Sequence, residues 1–376
     1  MRPAEPVTGL ILSGGGARAA YQVGVLAAIA ELLPPGAPNP FPVIVGTSAG
    51  AINAVSLASG AMDFRAAIQR LTAFWQGIGS HQVVRSDWPG VLRQASRFFI
   101  RSLLGIGRQF PVALLDSLPL RDLLQDKLHL PGIDEAIRNQ HLHAVAVTAF
   151  GYESGQAVTF YQGGGTIEAW LRHRRTGVPT QLTVEHLLAS SAIPLLFAPV
   201  KLDEEYFGDG AVRQSAPISP ALHLGASRVL VVGVSGNPRS HEPSMPRSFT
   251  GQQPTLAQIG GHMLNSTFID SLESDIELLE RLNQFSHAAP ELAAVEVLVI
   301  APSQPIDEIA ARHRQELPAA LRLFLRGPGA TKTSGAGVLS YLLFEAGYCS
   351  ELIELGRKDA LAKRDEITRF LGLKSI

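Results

Sequence analysis

Gly46-Thr47-Ser48-Ala49-Gly50 follows directly on the apolar run Phe41 to Val45 and leads into the helix-forming stretch Ala51 to Ala58. Small residues flank Ser48, as a sharp turn from a strand to a helix requires, because a bulky neighbour would collide with the strand. A serine at such a turn lies at a helix N-terminus, where unpaired N–H groups and the helix dipole favour negative charge. The stretch therefore predicts an α/β fold with a nucleophilic Ser48, although plain strand-to-helix connectors also use glycine-rich turns.

A second glycine cluster follows the first predicted strand. The segment Val7 to Leu12 runs through Ser13 into Gly14-Gly15-Gly16-Ala17-Arg18, which precedes the helical pattern Ala20 to Leu33. Consecutive glycines present backbone N–H groups without side chains in the way, which is how an oxyanion hole is built. The predicted oxyanion donors are therefore Gly14, Gly15 and Gly16, together with Ala49 after the serine. The alternative is a tight turn that needs its glycines only for their backbone conformation.

The same loop also fits the loose dinucleotide-binding pattern Gly14-x-Gly16-x-x-Ala19, in which a pyrophosphate binds at the helix N-terminus. That pattern needs an acidic residue about 20 positions further on, at the end of a second strand. The candidate, Glu31, lies within the helical pattern, and the second strand ends in the serine turn instead. Nucleotide binding is kept as an alternative that these two features disfavour.

A serine nucleophile needs a base that removes its proton. None of the eleven histidines lies in an obvious catalytic setting. Asp209, in Tyr206-Phe207-Gly208-Asp209-Gly210-Ala211, ends a strand-like segment between two glycines, which lets another group approach closely. A partly desolvated carboxylate there could accept the serine proton directly, whereas the structural alternative is an ordinary Asp-Gly turn.

Taken together, these segments resemble the patatin-like phospholipase family, which uses a glycine-rich oxyanion loop, a Gly-x-Ser-x-Gly turn and an Asp-Gly-Gly or Asp-Gly-Ala motif. The resemblance implies a Ser48–Asp209 catalytic dyad and an acyl-enzyme intermediate in a lipid acyl hydrolase of the phospholipase A, lysophospholipase or esterase type. The segment 189–194, Ala-Ser-Ser-Ala-Ile-Pro, matches a further family block that packs near the active site. Four residues support the motifs: Arg18, Gly46, Gly50 and Gly210.

The resemblance covers residues 7 to 60 and 115 to 235 and departs from the family at Ala19, where glycine is common. It implies a three-layer α/β/α fold with a mainly parallel central sheet, which the alternation of predicted strands and helices also favours. Strands are predicted at 7–13, 41–46, 143–149, 156–161, 199–208, 228–234 and 295–301. Helices are predicted at 18–33, 49–59, 62–77, 182–190, 255–285 and after 305, and Glu153-Ser154-Gly155-Gln156 is predicted to close a hairpin.

An ordinary Ser-Asp-His triad is the alternative to the dyad, with His241 or His262 as the third member. In the α/β-hydrolase fold the serine turn usually follows several strands, whereas here only one clear strand and one helix come before it. His241 lies in a polar, proline-rich stretch and His262 in a long helical pattern. Both are therefore interpreted as ordinary surface or core histidines.

We expect residues 1–304 to form the catalytic domain, with a helical cap insertion at 80–112, and residues 305–376 to form a helical C-terminal extension packed on the core. Within the insertion, arginines recur beside aromatic and aliphatic residues at 91–108, which is typical of a basic amphipathic helix on an anionic membrane. A cap helix packed on the core is the alternative. The C-terminal apolar segments pack on the sheet or on a partner subunit of a homo-oligomer.

Composition agrees with a cytoplasmic enzyme that contacts the inner face of the membrane peripherally. No apolar run has the length of a transmembrane helix, and the N-terminus lacks the character of a signal peptide. A formal net charge of −1 gives no reason to expect nucleic-acid binding, and the single cysteine, Cys349, excludes an internal disulfide. The motifs require no cofactor and no metal, and the expected substrate is a lipid or other fatty-acyl ester.

Three points stay open at this stage. The same acyl-enzyme would serve an acyltransferase, and a catalytically silent, membrane-associated adaptor could keep the fold, although retention of the serine, the aspartate and the glycine loop argues against it. Arg18 either attracts an anionic head group or braces the glycine loop through local carboxylates or carbonyls, and we favour bracing.

If the 91–108 segment contacts membrane, replacing Arg93, Arg97 and Arg101 with glutamine should weaken binding to anionic liposomes, because each basic residue near such a surface contributes about 1 kcal/mol. Liposome sedimentation measures the loss, with neutral liposomes as the control. Unchanged sedimentation would mean that these arginines lie on the wet face of a cap helix.

Overall fold

The computed structural model describes residues 6–85, 113–165, 167–214, 217–235, 256–267, 274–279, 283, 295–326 and 336–373. Over this part of the chain a ten-stranded sheet runs in the order β10-β9-β1-β2-β3-β4-β6-β5, with β8 paired to β3 and β7 to β8. The strands are β1 Thr8–Leu12, β2 Val43–Thr47, β3 Ala144–Gly151, β4 Ala157–Gly163, β5 Trp170–Arg172, β6 Arg175–Pro179, β7 Val200–Leu202, β8 Glu205–Asp209, β9 Arg228–Val232 and β10 Glu296–Ile300.

The five strands from β10 to β3 are parallel. Successive side chains of a strand point to opposite faces, and both faces here are covered. Leu10, Leu12 and Ile44 belong to the larger apolar cluster, whereas Ile11 and Val43 belong to the smaller one. A mainly parallel sheet with an apolar layer on each face confirms the predicted α/β fold.

The helices that cover the sheet follow in chain order. They are α1 Ala20–Leu32, α2 Ala49–Ser59, α3 Phe64–Gln76, α4 Ser80–Val83, α5 Leu118–Lys127, α6 Pro131–Arg138, α7 Val184–Ser190, α8 Ser219–His223, α9 Leu256–Asn265, α10 Ile306–His313, α11 Ala319–Arg326, α12 Ala336–Leu342, α13 Ala346–Ala362 and α14 Arg364–Phe370. Among the described helices, none combines the length and the apolar character that crossing a membrane demands.

The predicted strands and helices have counterparts in the structure, although one strand is divided and several further elements were missed. The predicted strand 199–208 is wrong as one element, because Asp203 has a φ of 49° and divides it into β7 and β8. The hairpin of β3 and β4 is confirmed, with Gly155 at a φ of 64° in its turn. The sequence patterns missed β5, β6 and four helices: α4, α5, α6 and α8. The predicted membrane helix 91–108, most of the cap insertion and His241 lie outside the described residues.

The C-terminal helix α13 packs directly against α1. A Cβ atom on Gly24 would lie 1.8 Å from the carbonyl oxygen of Ile353, and one on Gly356 would lie 2.1 Å from that of Tyr21. The two helix backbones therefore touch at paired glycines. The division into domains at residue 304 stays a prediction.

Substituting Gly356→Ala should lower the free energy of unfolding by about 1–3 kcal/mol, because the added methyl group overpacks a contact between backbones. Urea denaturation measures the change. Gly164→Ala is the matched control, since a Cβ there meets nothing within 4 Å. Equal stability of the two variants would show that α1 and α13 can separate freely.

Candidate active site

Ser48 occupies the sharp turn between β2 and α2. Its φ of 56° and ψ of −131° are unusual for a residue with a side chain, and such strain is typical of a nucleophile at a strand-to-helix turn. The neighbouring glycines are required by close approach: a Cβ on Gly50 would lie 2.3 Å from the carbonyl oxygen of Leu12, and one on Gly46 would lie 2.4 Å from that of Gly50. The structure thus places Ser48, only 2% exposed, where the sequence predicted it.

Asp209 reaches Ser48 through the pairing of strands. β2 and β8 pair with successive residues of β3, with Thr148 opposite Thr47 and Ala149 opposite Asp209. The carboxyl group is fully buried, and its Oδ1 accepts a hydrogen bond of 3.0 Å from the N–H of Ala211. The turn after it needs glycine, because a Cβ on Gly210 would lie 2.1 Å from the carbonyl oxygen of Thr148.

Burial sets the protonation of Asp209. Removal of water raises the pKa of its carboxyl from 3.8 to about 7, against the opposing effects of the Ser48 hydroxyl and the Ala211 N–H. The Ser48 hydroxyl lies close enough to the carboxyl to lower its pKa by hydrogen bonding. Oδ2 nevertheless has no hydrogen bond of good geometry to any described residue. A carboxyl with these properties can exchange a proton near neutral pH.

Ser190 supports the serine turn. Its Oγ accepts a hydrogen bond of 2.8 Å from the N–H of Ser48 and donates one of 2.6 Å to the carbonyl oxygen of Thr148. The sequence placed the 189–194 block near the site but gave Ser190 no role. The only signal was a pair of serines after the apolar run Leu187 to Ala189.

The glycine loop lies beside Ser48. Gly16, Ser48 and Ala49 border one cavity, whereas Gly14 and Gly15 are not among the residues that line it. Gly16 has a φ of 56°, and a Cβ there would lie 2.2 Å from the carbonyl oxygen of Tyr341. The C-terminal part of the chain therefore packs directly on the predicted oxyanion loop.

Arg18 binds that same C-terminal part. Its side chain, 3% exposed, donates a hydrogen bond of 2.8 Å from Nε to Ser340 Oγ and one of 2.6 Å from Nη2 to Asp307 Oδ1. The guanidinium carbon lies 4.0 Å from the ring centre of Tyr341. These contacts favour bracing over attraction of a head group. The carboxylate partner, Asp307, lies 289 residues further along the chain.

The cavity beside Ser48 is apolar and small, at about 30 Å³. It is lined by Gly16, Ser48, Ala49, Ile52, Phe74, Trp75, Ile78, Val83, Leu120, Ser191, Ile193, Phe197, Tyr341, Leu342 and Phe344. A larger groove of about 540 Å³ includes His143 and Gly225, which precede β3 and β9. Ser48 follows the carboxyl end of β2, where sheets of this kind usually bind ligands. The groove, in contrast, lies near the amino ends of the parallel strands.

The alternatives from the sequence find little support. Among the described residues no hydrogen bond joins a histidine to Ser48 or Asp209, and His262 is exposed on α9. Glu31, the acidic candidate for nucleotide binding, pairs instead with Arg357 at 2.7 Å. In the described part of the chain no group of acidic, histidine or cysteine side chains is arranged to hold a metal.

Comparison with known proteins agrees with this geometry. The family model described as patatin-like phospholipase matches residues 10–222, more than half of the 376-residue chain. The chain belongs to the patatin-like phospholipase family. The matched residues include the glycine loop, Ser48 and Asp209.

A curated relative is a cGAMP-activated phospholipase of Pseudomonas aeruginosa, 28% identical over 57% of this chain and 55% of the relative. The chain thus spans about half the length of that protein. Among solved structures, VipD from Legionella pneumophila is 13% identical, with a TM-score of 0.39 over 96% of this chain and 67% of that one. The SpcU–ExoU complex from Pseudomonas aeruginosa is 17% identical, with a TM-score of 0.30 over 85% and 53%.

The raised pKa of Asp209 predicts an unusual pH dependence of stability. The folded protein keeps a proton that the unfolded chain releases above about pH 4, so the free energy of unfolding contributed by Asp209 falls between about pH 4 and pH 7. Asp209→Asn removes the destabilisation caused by the ionised, buried carboxyl. The variant should therefore be more stable than the wild type at pH 8 by a few kcal/mol.

Urea denaturation from pH 8 downwards measures the difference, which should narrow towards pH 4. Asp203→Asn, at an exposed turn, is the matched control and should show no such trend. A difference that does not change with pH would place the Asp209 carboxyl in contact with water.

Proposed function

We propose that this protein is a lipid acyl hydrolase of the phospholipase A, lysophospholipase or esterase type, with Ser48 as nucleophile and Asp209 as general base. The observation that carries the proposal is the position of a buried carboxyl, with a pKa of about 7, near a serine on a strained turn. A serine and a proton-exchanging base in contact are the requirement for covalent catalysis.

In the proposed reaction, Asp209 removes the Ser48 proton as Oγ attacks the carbonyl carbon of the ester. The negative charge that develops on the carbonyl oxygen is stabilised by backbone N–H groups of the glycine loop and of Ala49 at the start of α2. The Ser48 N–H takes no part, because it already donates to Ser190. The protonated Asp209 then gives its proton to the leaving alcohol, which leaves an acyl-enzyme.

The second half of the reaction releases the fatty acid. Asp209 removes a proton from a water molecule, which attacks the acyl-enzyme, and returns that proton to Ser48 Oγ when the bond breaks. One carboxyl group thus serves as base and acid in turn. A pKa near 7 suits both directions of transfer, since neither protonation state is strongly disfavoured at neutral pH.

The apolar cavity is the proposed binding site for the acyl chain. Its volume of about 30 Å³ corresponds to one water molecule or one methylene group, so a long chain must displace part of the wall. The name of the Pseudomonas aeruginosa relative describes activation by cGAMP. We propose that an activating event likewise enlarges the cavity of this protein and raises its turnover above a basal rate.

The first test incubates wild type, Ser48→Ala and Asp209→Asn with a total bacterial lipid extract and identifies products by mass spectrometry. Free fatty acid and lysolipid should appear with wild type, and each variant should reduce turnover on the order of 10³-fold or more. The wild-type kcat/KM should rise with pH through about pH 7, because only ionised Asp209 accepts the serine proton.

Ser59→Ala and Asp203→Asn are the controls and should keep wild-type turnover, since both lie away from the cavity. An Asp209→Asn enzyme with near-normal turnover would overturn the dyad. If neither wild type nor Ser48→Ala released fatty acid or lysolipid from any lipid fraction, the result would instead favour the adaptor.

A further inference from the structure

Two buried side-chain atoms in the described part of the chain have no hydrogen-bond partner, Asp209 Oδ2 and Ser191 Oγ. Both belong to the surroundings of Ser48: the serine hydroxyl influences Asp209, and Ser191 lines the same cavity as Ser48. Buried polar atoms without partners are rare in folded proteins because they lose their bonds to water and gain none. Asp209 has the Ser48 hydroxyl nearby, whereas Ser191 Oγ, at the cavity itself, is available to a ligand.

The backbone of Ser191 is fixed and satisfied. Its N–H donates to the carbonyl oxygens of Leu187 at 3.0 Å and Leu188 at 3.2 Å at the end of α7. The adjacent Ser190 differs, because its hydroxyl both accepts from Ser48 and donates to Thr148. Ser190 therefore supports the fold, whereas the Ser191 hydroxyl has no hydrogen-bond partner among the described residues.

The lining of the cavity limits what the Ser191 hydroxyl can bind. Apart from Ser48 and Ser191, its side chains are carbon-rich, including Ile52, Trp75 and Phe197. An acyl chain that fills such a cavity offers no hydrogen-bonding atoms, so the ester oxygens are the only polar part of that substrate close to Ser48. A donor placed there can therefore form a hydrogen bond with the ester when the substrate binds.

We propose that the Ser191 hydroxyl donates a hydrogen bond to an oxygen of the scissile ester and is a substrate-contacting residue of this enzyme. The inference rests on the proposed acyl hydrolase function. It assigns neighbouring serines separate tasks: Ser190 holds the nucleophile turn, and Ser191 holds the substrate.

The test compares wild type, Ser191→Ala and Ser190→Ala by thermal unfolding and by hydrolysis of p-nitrophenyl butyrate, whose short chain suits a small cavity. Ser191→Ala should reduce kcat/KM about 3- to 10-fold. Its Tm should equal or exceed that of wild type, because the substitution removes a hydroxyl that has no hydrogen-bond partner among the described residues. Ser190→Ala should lower the Tm, since it leaves the Ser48 N–H unpaired.

Ser191→Thr keeps the hydroxyl and should retain kcat/KM within about threefold of wild type. An unchanged kcat/KM for Ser191→Ala, or a Tm loss as large as that of Ser190→Ala, would overturn the role of Ser191 while leaving the hydrolase intact. Hydrolysis that does not depend on Ser48 would overturn the proposed function, and the role of Ser191 with it.

Discussion

Exclusion of water from the Asp209 carboxyl is the constraint on which the rest of the site depends. A solvated aspartate, with a pKa near 4, is too weak a base to take a proton from a hydroxyl at useful rates. Burial raises that pKa to about 7 and destabilises the ionised form in the folded protein. The surrounding sheet must supply the compensating stability, and it does so through strands whose apolar side chains fill both faces.

The local parts of the site were predictable from the sequence because their physical requirements are local. Gly46 and Gly50 are needed for close backbone approach around Ser48, and small residues at fixed spacing reveal such a turn directly. Asp209 was different, since its segment alone fitted an ordinary turn. Its placement depends on antiparallel pairing of β8 with β3, which no spacing along the chain encodes. The family resemblance, not the local pattern, identified it.

Contacts between distant segments account for what the sequence did not reveal. The partner of Arg18 is Asp307, 289 residues away, and a single sequence contains no signal that relates two such positions. Ser190 was missed for the same reason, because its Oγ accepts a hydrogen bond from the N–H of Ser48, 142 residues earlier. The division of 199–208 into two strands depends on one positive φ at Asp203, a residue type that also occurs in regular elements.

The C-terminal segment links access to the site with the geometry of the oxyanion loop. Tyr341 and Leu342 line the cavity beside Ser48, and the same stretch contacts the loop through the Tyr341 carbonyl at Gly16 and through Arg18. Trp75 also lines the cavity, and its Nε1 donates a hydrogen bond of 2.8 Å to Asn53. A cavity that enlarges by moving the C-terminal wall must therefore disturb the contacts that position the oxyanion loop. If the proposed function holds, substrate entry and the geometry of the glycine loop are coupled, because residues of the same C-terminal segment line the cavity and contact the loop.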